Sequence, residues 1–418
     1  MNRWGWSSSC ALVVVMMAAP TARGQEAVER LQKDVRALCA EKFEGRGAGS
    51  AGLALAASWI EARFRELGLK GQGEAGYRQE WQSKDGKTMV NLIAVLEGQA
   101  SGAQSTAGEA ASRHVVLGAH YDHLGRGEPG SANAGVLHPG ADDNASGVAA
   151  LLECARQMQS AGPPARDVVF VAFGGEETGL LGSAYYAEHP ARPLAECTAM
   201  LNLDTVGRLA GNKLTIFGAE TAQQLADVLR GVNTGFRFDL QLPEKDPGGS
   251  DQTNFVRKGV PAIQLFTGAR ADYHRPTDTP EKIDYQGLAR ITEYTQELVR
   301  YLADRDEPLG FTPPGAASAA AQPAAGRGGS RRVSFGSIPD FNHKGPGVLL
   351  SGVVPGSPAE QVGMRAGDVI VEFAGVAIED LQGYSDVLKT LAPGDEADVT
   401  YMRDGARHAV KVKVVERK

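Results

Sequence analysis

Between residues 91 and 302 the chain alternates two patterns. Short, nearly unbroken apolar runs occur at NLIAVLEG (91–98), HVVLGAH (114–120), DVVFVAF (167–173), AMLNLD (199–204) and AIQLF (262–266). Between them, apolar residues recur at helical spacing in GVAALLECARQM (147–158), TAQQLADVLRGV (221–232) and LARITEYTQELVRYL (288–302). Upstream, Leu53, Ala57, Ile60, Phe64 and Leu67 outline another helix, which Gly68 stops. A strand that is apolar at successive positions has no polar face, so it must be covered on both sides. Its alternation with helices predicts an α/β sheet buried between helical layers. Segment 98–112 is small and polar and reads as a surface loop.

The pattern fails at both flanks. Residues 1–24 read as a secretory signal peptide. Arg3 supplies the positive start, Cys10 to Ala19 is apolar but too short to span a bilayer, and Ala22-Arg23-Gly24 places cleavage before Gln25. An uncleaved anchor is the other reading. In the segment 308–330, 18 of 23 residues are Ala, Gly, Pro or Ser, which suits a flexible linker. The expected plan is a signal peptide (1–24), a large α/β domain (25–305), a linker (306–332) and a small β-rich domain (333–418). This implies a secreted or periplasmic protein with no membrane span after cleavage.

Composition narrows the function. Hydrophobic residues are 42% and charged residues 22%, which excludes a disordered, collagenous or multi-span chain. The net charge of −7 shows no basic excess for nucleic acid. After cleavage Cys39, Cys154 and Cys197 remain, too few and too scattered for a disulfide framework. Glycine is high, at 52 of 418 residues.

Ionisable residues gather just after the predicted strands. Strand 114–119 runs into His120-Tyr121-Asp122-His123, strand 167–173 into Gly174-Gly175-Glu176-Glu177, and strand 199–203 into Asp204. Tyr273-His274 follows strand 262–266, and the loop PGADDNASG (139–147) carries Asp142 and Asp143. Sites in open α/β sheets form beyond the carboxyl ends of the strands, so these groups are expected to meet at one rim. Two histidines with three or more carboxylates suit zinc, and are too many for one tetrahedral ion with an open position. They suit two metals about 3.5–4 Å apart with a shared carboxylate. The pair Glu176-Glu177 divides into one ligand and one general base.

Together the segments FEGRGAGS (43–50), GAHYDH (118–123), GADDNASG (140–147), GEE (175–177), NLDTVG (202–207), SDQTNF (250–255) and YHRPTDT (273–279) resemble the co-catalytic dizinc aminopeptidases, secreted exopeptidases related to glutaminyl cyclases. The resemblance implies a mixed, mostly parallel central sheet flanked by helices. It implies hydrolysis of N-terminal peptide bonds by two divalent metal ions, zinc or alternatively cobalt or manganese. His120 and Asp204 would hold one ion, Glu177 and His274 the other, and Asp143 would bridge. Glu176 would be the base, Asp122 would orient His120 through its far ring nitrogen, and Tyr273 would donate to the oxyanion. A carboxypeptidase or a one-zinc glutaminyl cyclase on the same fold is an alternative, as is a peptide-binding protein on an inactive peptidase scaffold.

Other residues read more plainly. His123 and His138 read as surface histidines outside the ligand set. Asp142 shapes its loop, Asp251 supports the site, and Arg46 holds the N-terminal helix.

GVLLSGVVPGSPAEQVGMRAGDVIVEFAG (347–375) resembles a bacterial-type PDZ domain. Such domains take a peptide C-terminus or an extended segment as an added edge strand. Ser334-Phe335-Gly336-Ser337 would be the carboxylate loop, with Ser337 where an apolar residue is usual; a PDZ acting as a lid is the alternative.

Overall fold

A computed structural model describes residues 22–99, 113–127, 133, 135–313, 333–340, 343 and 345–416. Residues 1–21 of the expected signal peptide (1–24), most of segment 98–112 and residues 314–332 of the expected linker lie outside that set. In the large domain the strands are β1 (Lys70–Gly71), β2 (Arg78–Gln82), β3 (Thr88–Leu96), β4 (His114–His120), β5 (Asp167–Phe173), β6 (Cys197–Leu203), β7 (Lys213–Phe217), β8 (Asp239–Gln241) and β9 (Ala262–Phe266). The α-helices are α1 (Ala22–Leu38), α2 (Ala51–Glu66), α3 (Gly147–Ala161), α4 (Leu181–Glu188), α5 (Leu225–Asn233), α6 (Gln252–Arg257) and α7 (Tyr285–Asp304).

The strands form one mixed sheet in the order β1-β3-β5-β4-β6-β9-β7-β8, with β2 also paired to β3. Its centre, β5-β4-β6-β9, is parallel, and antiparallel pairs flank it. Every residue of β4, β5, β6 and β9 is buried, because alternate side chains enter different cores. Val115, Leu117, Phe170 and Leu201 pack with α1, α2, α3 and α7. Val116, Val169, Val171 and Met200 pack with Tyr186 of α4 and Phe255 of α6. The continuous apolar runs are thus the signature of a sheet between two helical layers.

Residues 309–312 of the segment expected as linker (306–332) make contacts with the large domain. Leu309 is buried, Phe311 bridges to Ala222, and the Thr312 amide donates to the Thr221 carbonyl. The Leu309 side chain and the backbone of Phe311 and Thr312 anchor this stretch. Cys39, Cys154 and Cys197 are all free thiols.

The C-terminal region has its own core, including Phe335, Ile370, Phe373, Tyr384 and Val399. Its elements are β10 (Val333–Ser334), β11 (Ser337–Pro339), β12 (Val348–Val353), α8 (Pro358–Gln361), β13 (Val369–Phe373), β14 (Val376–Ala377), α9 (Leu381–Thr390), β15 (Glu396–Arg403), β16 (Ala406–Lys413) and β17 (Val415–Glu416). One antiparallel sheet runs β11-β12-β13-β15-β16, and β10 pairs with β17. Strand β11 is therefore a sheet edge. In the expected carboxylate loop Phe335 is a core residue, and the Ser337 hydroxyl lies 2.7 Å from that of Tyr384 on α9.

Candidate metal centre

The four parallel strands end at one rim. Strand β4 ends on His120, β5 leads into Gly174-Gly175-Glu176-Glu177, β6 into Asp204, and β9 into the loop that bears Tyr273 and His274. Loop 139–146 enters α3 and brings Asp143 across the strand ends. Asn144 ties this loop down. Its amide nitrogen donates to the Leu203 carbonyl (2.8 Å) and the His120 carbonyl (3.3 Å), and its oxygen accepts from the Gly147 (3.1 Å) and Thr205 (3.3 Å) amides. Gly147 is required by this approach, since a Cβ would run into the Asn144 side chain and the Leu203 carbonyl. The Asp278 carboxylate accepts the amides of Asp142 (2.9 Å) and Asp143 (3.1 Å).

Arg46 braces the rim from below. It is fully buried, and its guanidinium donates to the carbonyls of Leu38, Tyr121, Pro139 and Gly140, each at 2.8 Å. One side chain thereby joins the end of α1 to both ligand-bearing loops. Burial without a carboxylate partner is offset here by four charge-assisted bonds.

The donor atoms form two clusters around Asp143. His120 Nε2 lies 3.2 Å from Asp143 Oδ1 and 3.5 Å from Asp204 Oδ1. His274 Nε2 lies 3.0 Å from Asp143 Oδ2 and 3.3 Å from Glu177 Oε2. Donors bound tetrahedrally at zinc distances stand about 3.4 Å apart, so the spacing fits the group. Asp143 Oδ2 is buried and faces His274 Nε2, while Oδ1 faces His120 Nε2. The carboxylate of Asp143 thus turns one oxygen to each cluster.

The electrostatics point the same way. Burial works against a charged His120, but the carboxylates of Glu176, Asp143 and Asp204 outweigh it and hold its pKa well above the usual value. Burial alone would raise Asp143, yet the imidazoles of His120, His274 and His123 hold it well below the carboxylate range. Burial pushes Glu176 well up; His120 opposes this, while Glu177, Asp204 and Asp251 add to it. So many buried carboxylates around so few bases call for added positive charge.

The structure brings His120, Asp143, Glu177, Asp204, His274, Glu176 and Asp122 to this one rim. Tyr273 stacks on His274 with ring centroids 3.9 Å apart and keeps 43% of its surface exposed. Asp122 acts differently from the expected contact to His120. Its oxygens accept the backbone amides of Glu176 (3.1 Å) and Glu177 (3.2 Å), while His120 Nδ1 sits 3.2 Å from the Asp122 carbonyl and 3.8 Å from the carboxylate. The reason is the GGEE turn, whose amides point at the end of β4.

Two expectations need correction. His123 and His138 are not surface residues: each is about 98–99% buried, and His123 Nδ1 lies 2.8 Å from Glu177 Oε1. The backbone amide of His123 donates to the Arg46 carbonyl, which draws the residue under the rim. The helix-holding role read for Arg46 was too narrow, since it also holds the two loops. The only sequence signal for His123 was its place three residues after His120. Asp142 does shape its loop, accepting the Gly207 amide at 2.7 Å. Asp251 is fully buried, and burial pushes its carboxyl up to about 7.

Comparison with known proteins gives a family and a fold. Residues 91–299, half of the chain, match the model of peptidase family M28, and residues 334–414 match that of a PDZ domain. Aminopeptidase YwaD of Bacillus subtilis is 32% identical over 195 residues, which are 44% of this chain and 40% of that protein. Leucine aminopeptidase 1 of Arthroderma otae is 29% identical over 205 residues, 46% of this chain and 54% of that protein. The chain thus spans about half the length of these relatives. Among solved structures, the aminopeptidase from Aneurinibacillus sp. strain AM-1 superposes with a TM-score of 0.53 at 18% identity, covering 69% of this chain and 96% of that one. A glutaminyl cyclase from Porphyromonas gingivalis superposes with a TM-score of 0.52 at 21% identity, covering 66% and 96%. At these identities the likeness is one of fold.

Proposed function

The chain belongs to peptidase family M28, and from that premise we propose that it removes N-terminal residues from peptides by metal-dependent hydrolysis. The observation that carries this reading is Asp143, whose two oxygens face separate histidine–carboxylate pairs. His120 and Asp204 would hold one zinc ion, Glu177 and His274 the other, with Asp143 shared. The ions supply Lewis acidity toward the peptide carbonyl and acidify water.

The chain's own groups do the rest. Glu176 takes the proton of the attacking water and returns it to the leaving amine. Burial raises its pKa, and divalent charge at the adjacent clusters would oppose that rise. Asp122 holds the backbone of Glu176 and Glu177, which fixes base and ligand relative to each other. Tyr273 stacks on His274 at the rim, and a phenol has an ordinary pKa of about 10. It therefore stays protonated and can donate a hydrogen bond to the oxyanion.

Residues 1–24 support a secreted or periplasmic location, and no helix among the described residues is long and apolar enough to cross a membrane. The PDZ domain offers edge strand β11 to a peptide C-terminus or an extended segment.

The test is cleavage of one peptide set with N-termini free or acetylated, with metal content measured in parallel. Cleavage of the free set alone, with two ions per chain, is expected. Equal cleavage of the acetylated set would overturn the aminopeptidase reading. Full activity with one ion would overturn the two-metal scheme.

A further inference from the structure

We infer that His123 is a positioning residue that aims the Glu177 carboxylate at the second metal cluster; the inference rests on the two-metal reading above. Its ring is buried, and Nδ1 lies 2.8 Å from Glu177 Oε1, while Oε2 of the same carboxylate lies 3.3 Å from His274 Nε2. A separation of 2.8 Å is that of a charge-assisted hydrogen bond, and shorter than the roughly 3.4 Å between donors on one tetrahedral ion. An ionised carboxylate only accepts, so Nδ1 carries the proton. Nδ1 also stands 3.9 Å from Asp143 Oδ2, beyond hydrogen-bond reach. His123 therefore occupies one Glu177 oxygen and leaves the other facing His274. Without it, the carboxylate could turn about its terminal torsion, which is broad.

The clamp is itself held in place. The His123 amide donates to the Arg46 carbonyl at 3.0 Å. Gly140 leaves space for the ring, since a Cβ there would collide with it. The ring of His138 lies 6.5 Å away, centroid to centroid. Among the described residues the buried Nε2 atoms of His123 and His138 have no hydrogen-bond partner, so no second acceptor there turns Nδ1 away from Glu177. The segment His120–His123 thus serves both clusters: its first residue enters one directly, and its last sets the geometry of the other.

The experiment uses the full chain, stripped of metal by a chelator and titrated with Zn²⁺ against a chromophoric competitor. The parent is compared with His123→Ala and with His123→Asn, whose amide nitrogen replaces Nδ1. Partners of ligand groups affect metal affinity by about 10–100-fold, so His123→Ala is expected to weaken one ion by that factor and the other by less than about threefold. His123→Asn is expected to recover most of the loss. Two ions bound to His123→Ala as tightly as to the parent would overturn this inference alone. So would an Asn variant as weak as the Ala variant, or equal weakening of both ions with a fallen thermal midpoint. A parent that takes a single ion would overturn the two-metal reading and this inference with it.

Discussion

The two donor clusters share Asp143 but are built differently. His120 is the last residue of a central strand, and Asp204 directly follows its neighbour in the sheet. Asp204 is held by the Thr205 hydroxyl at 2.9 Å and by the Gln264 amide of β9 at 3.2 Å. The first cluster is therefore anchored in paired backbone. Glu177 and His274 sit on loops; His274 has a positive φ of 58° and 13% of its side chain exposed. The second cluster depends on contacts between loops, above all those of Asp122 and His123 with the GGEE turn. A rigid sheet can thus present one preformed half-site, while the other is assembled by side chains that reach across the rim.

Asp143→Ala should do the most damage, because it strips both halves at once. Both ions are expected to be lost and kcat/KM to fall on the order of 10⁴-fold, the scale of several kcal/mol of Lewis-acid stabilisation. Metal analysis of the purified variant checks this. Glu176→Ala should leave both halves loaded yet lower kcat about 10³-fold, since only proton transfer is removed. Turnover of aminoacyl anilides at the parent rate by that variant would refute the base assignment.

Arg46→Met tests whether the common brace supports both halves. Four carbonyls, three of them buried, would lose their donor, so a loss of about 3 kcal/mol or more is expected in urea unfolding, together with weaker binding of both ions. Weakening of one ion only would show that the brace serves a single loop.

The smallest effect expected lies away from the rim. Burial pushes Asp34 of α1 up to about 6, against the opposing pull of Arg63 and Arg156. A folded pKa above the unfolded value of about 3.9 means a cost that is absent below pH 4, grows between pH 4 and 6, and is complete above. Asp34→Asn should therefore raise stability by about 1–3 kcal/mol at pH 8 and change it little at pH 4. Denaturant unfolding at the two pH values checks the sign.

The sheet was legible where it is buried on both faces. The runs at 114–120, 167–173 and 262–266 coincide with β4, β5 and β9 because an all-apolar run has one structural use. Strands β7 and β8 and helices α4 and α6 left weaker traces. They are three to eight residues long, too short for a period to build up. In the site, His120 and Asp204 were legible because they sit at strand ends, where chain order predicts spatial order. The roles of Arg46, Asp122 and His123 were not, since each depends on a partner 54 to 94 residues away, across turns whose path the sequence does not encode. Within the expected linker, composition did not reveal the burial of Leu309 or the backbone contacts of Phe311 and Thr312.

The most direct test is a crystal structure of the zinc-loaded chain with anomalous difference maps at the zinc edge. The account predicts two peaks, one beside His120 and Asp204 and one beside Glu177 and His274, with Asp143 touching both. A single peak at full zinc occupancy, or two peaks that do not share Asp143, would contradict it.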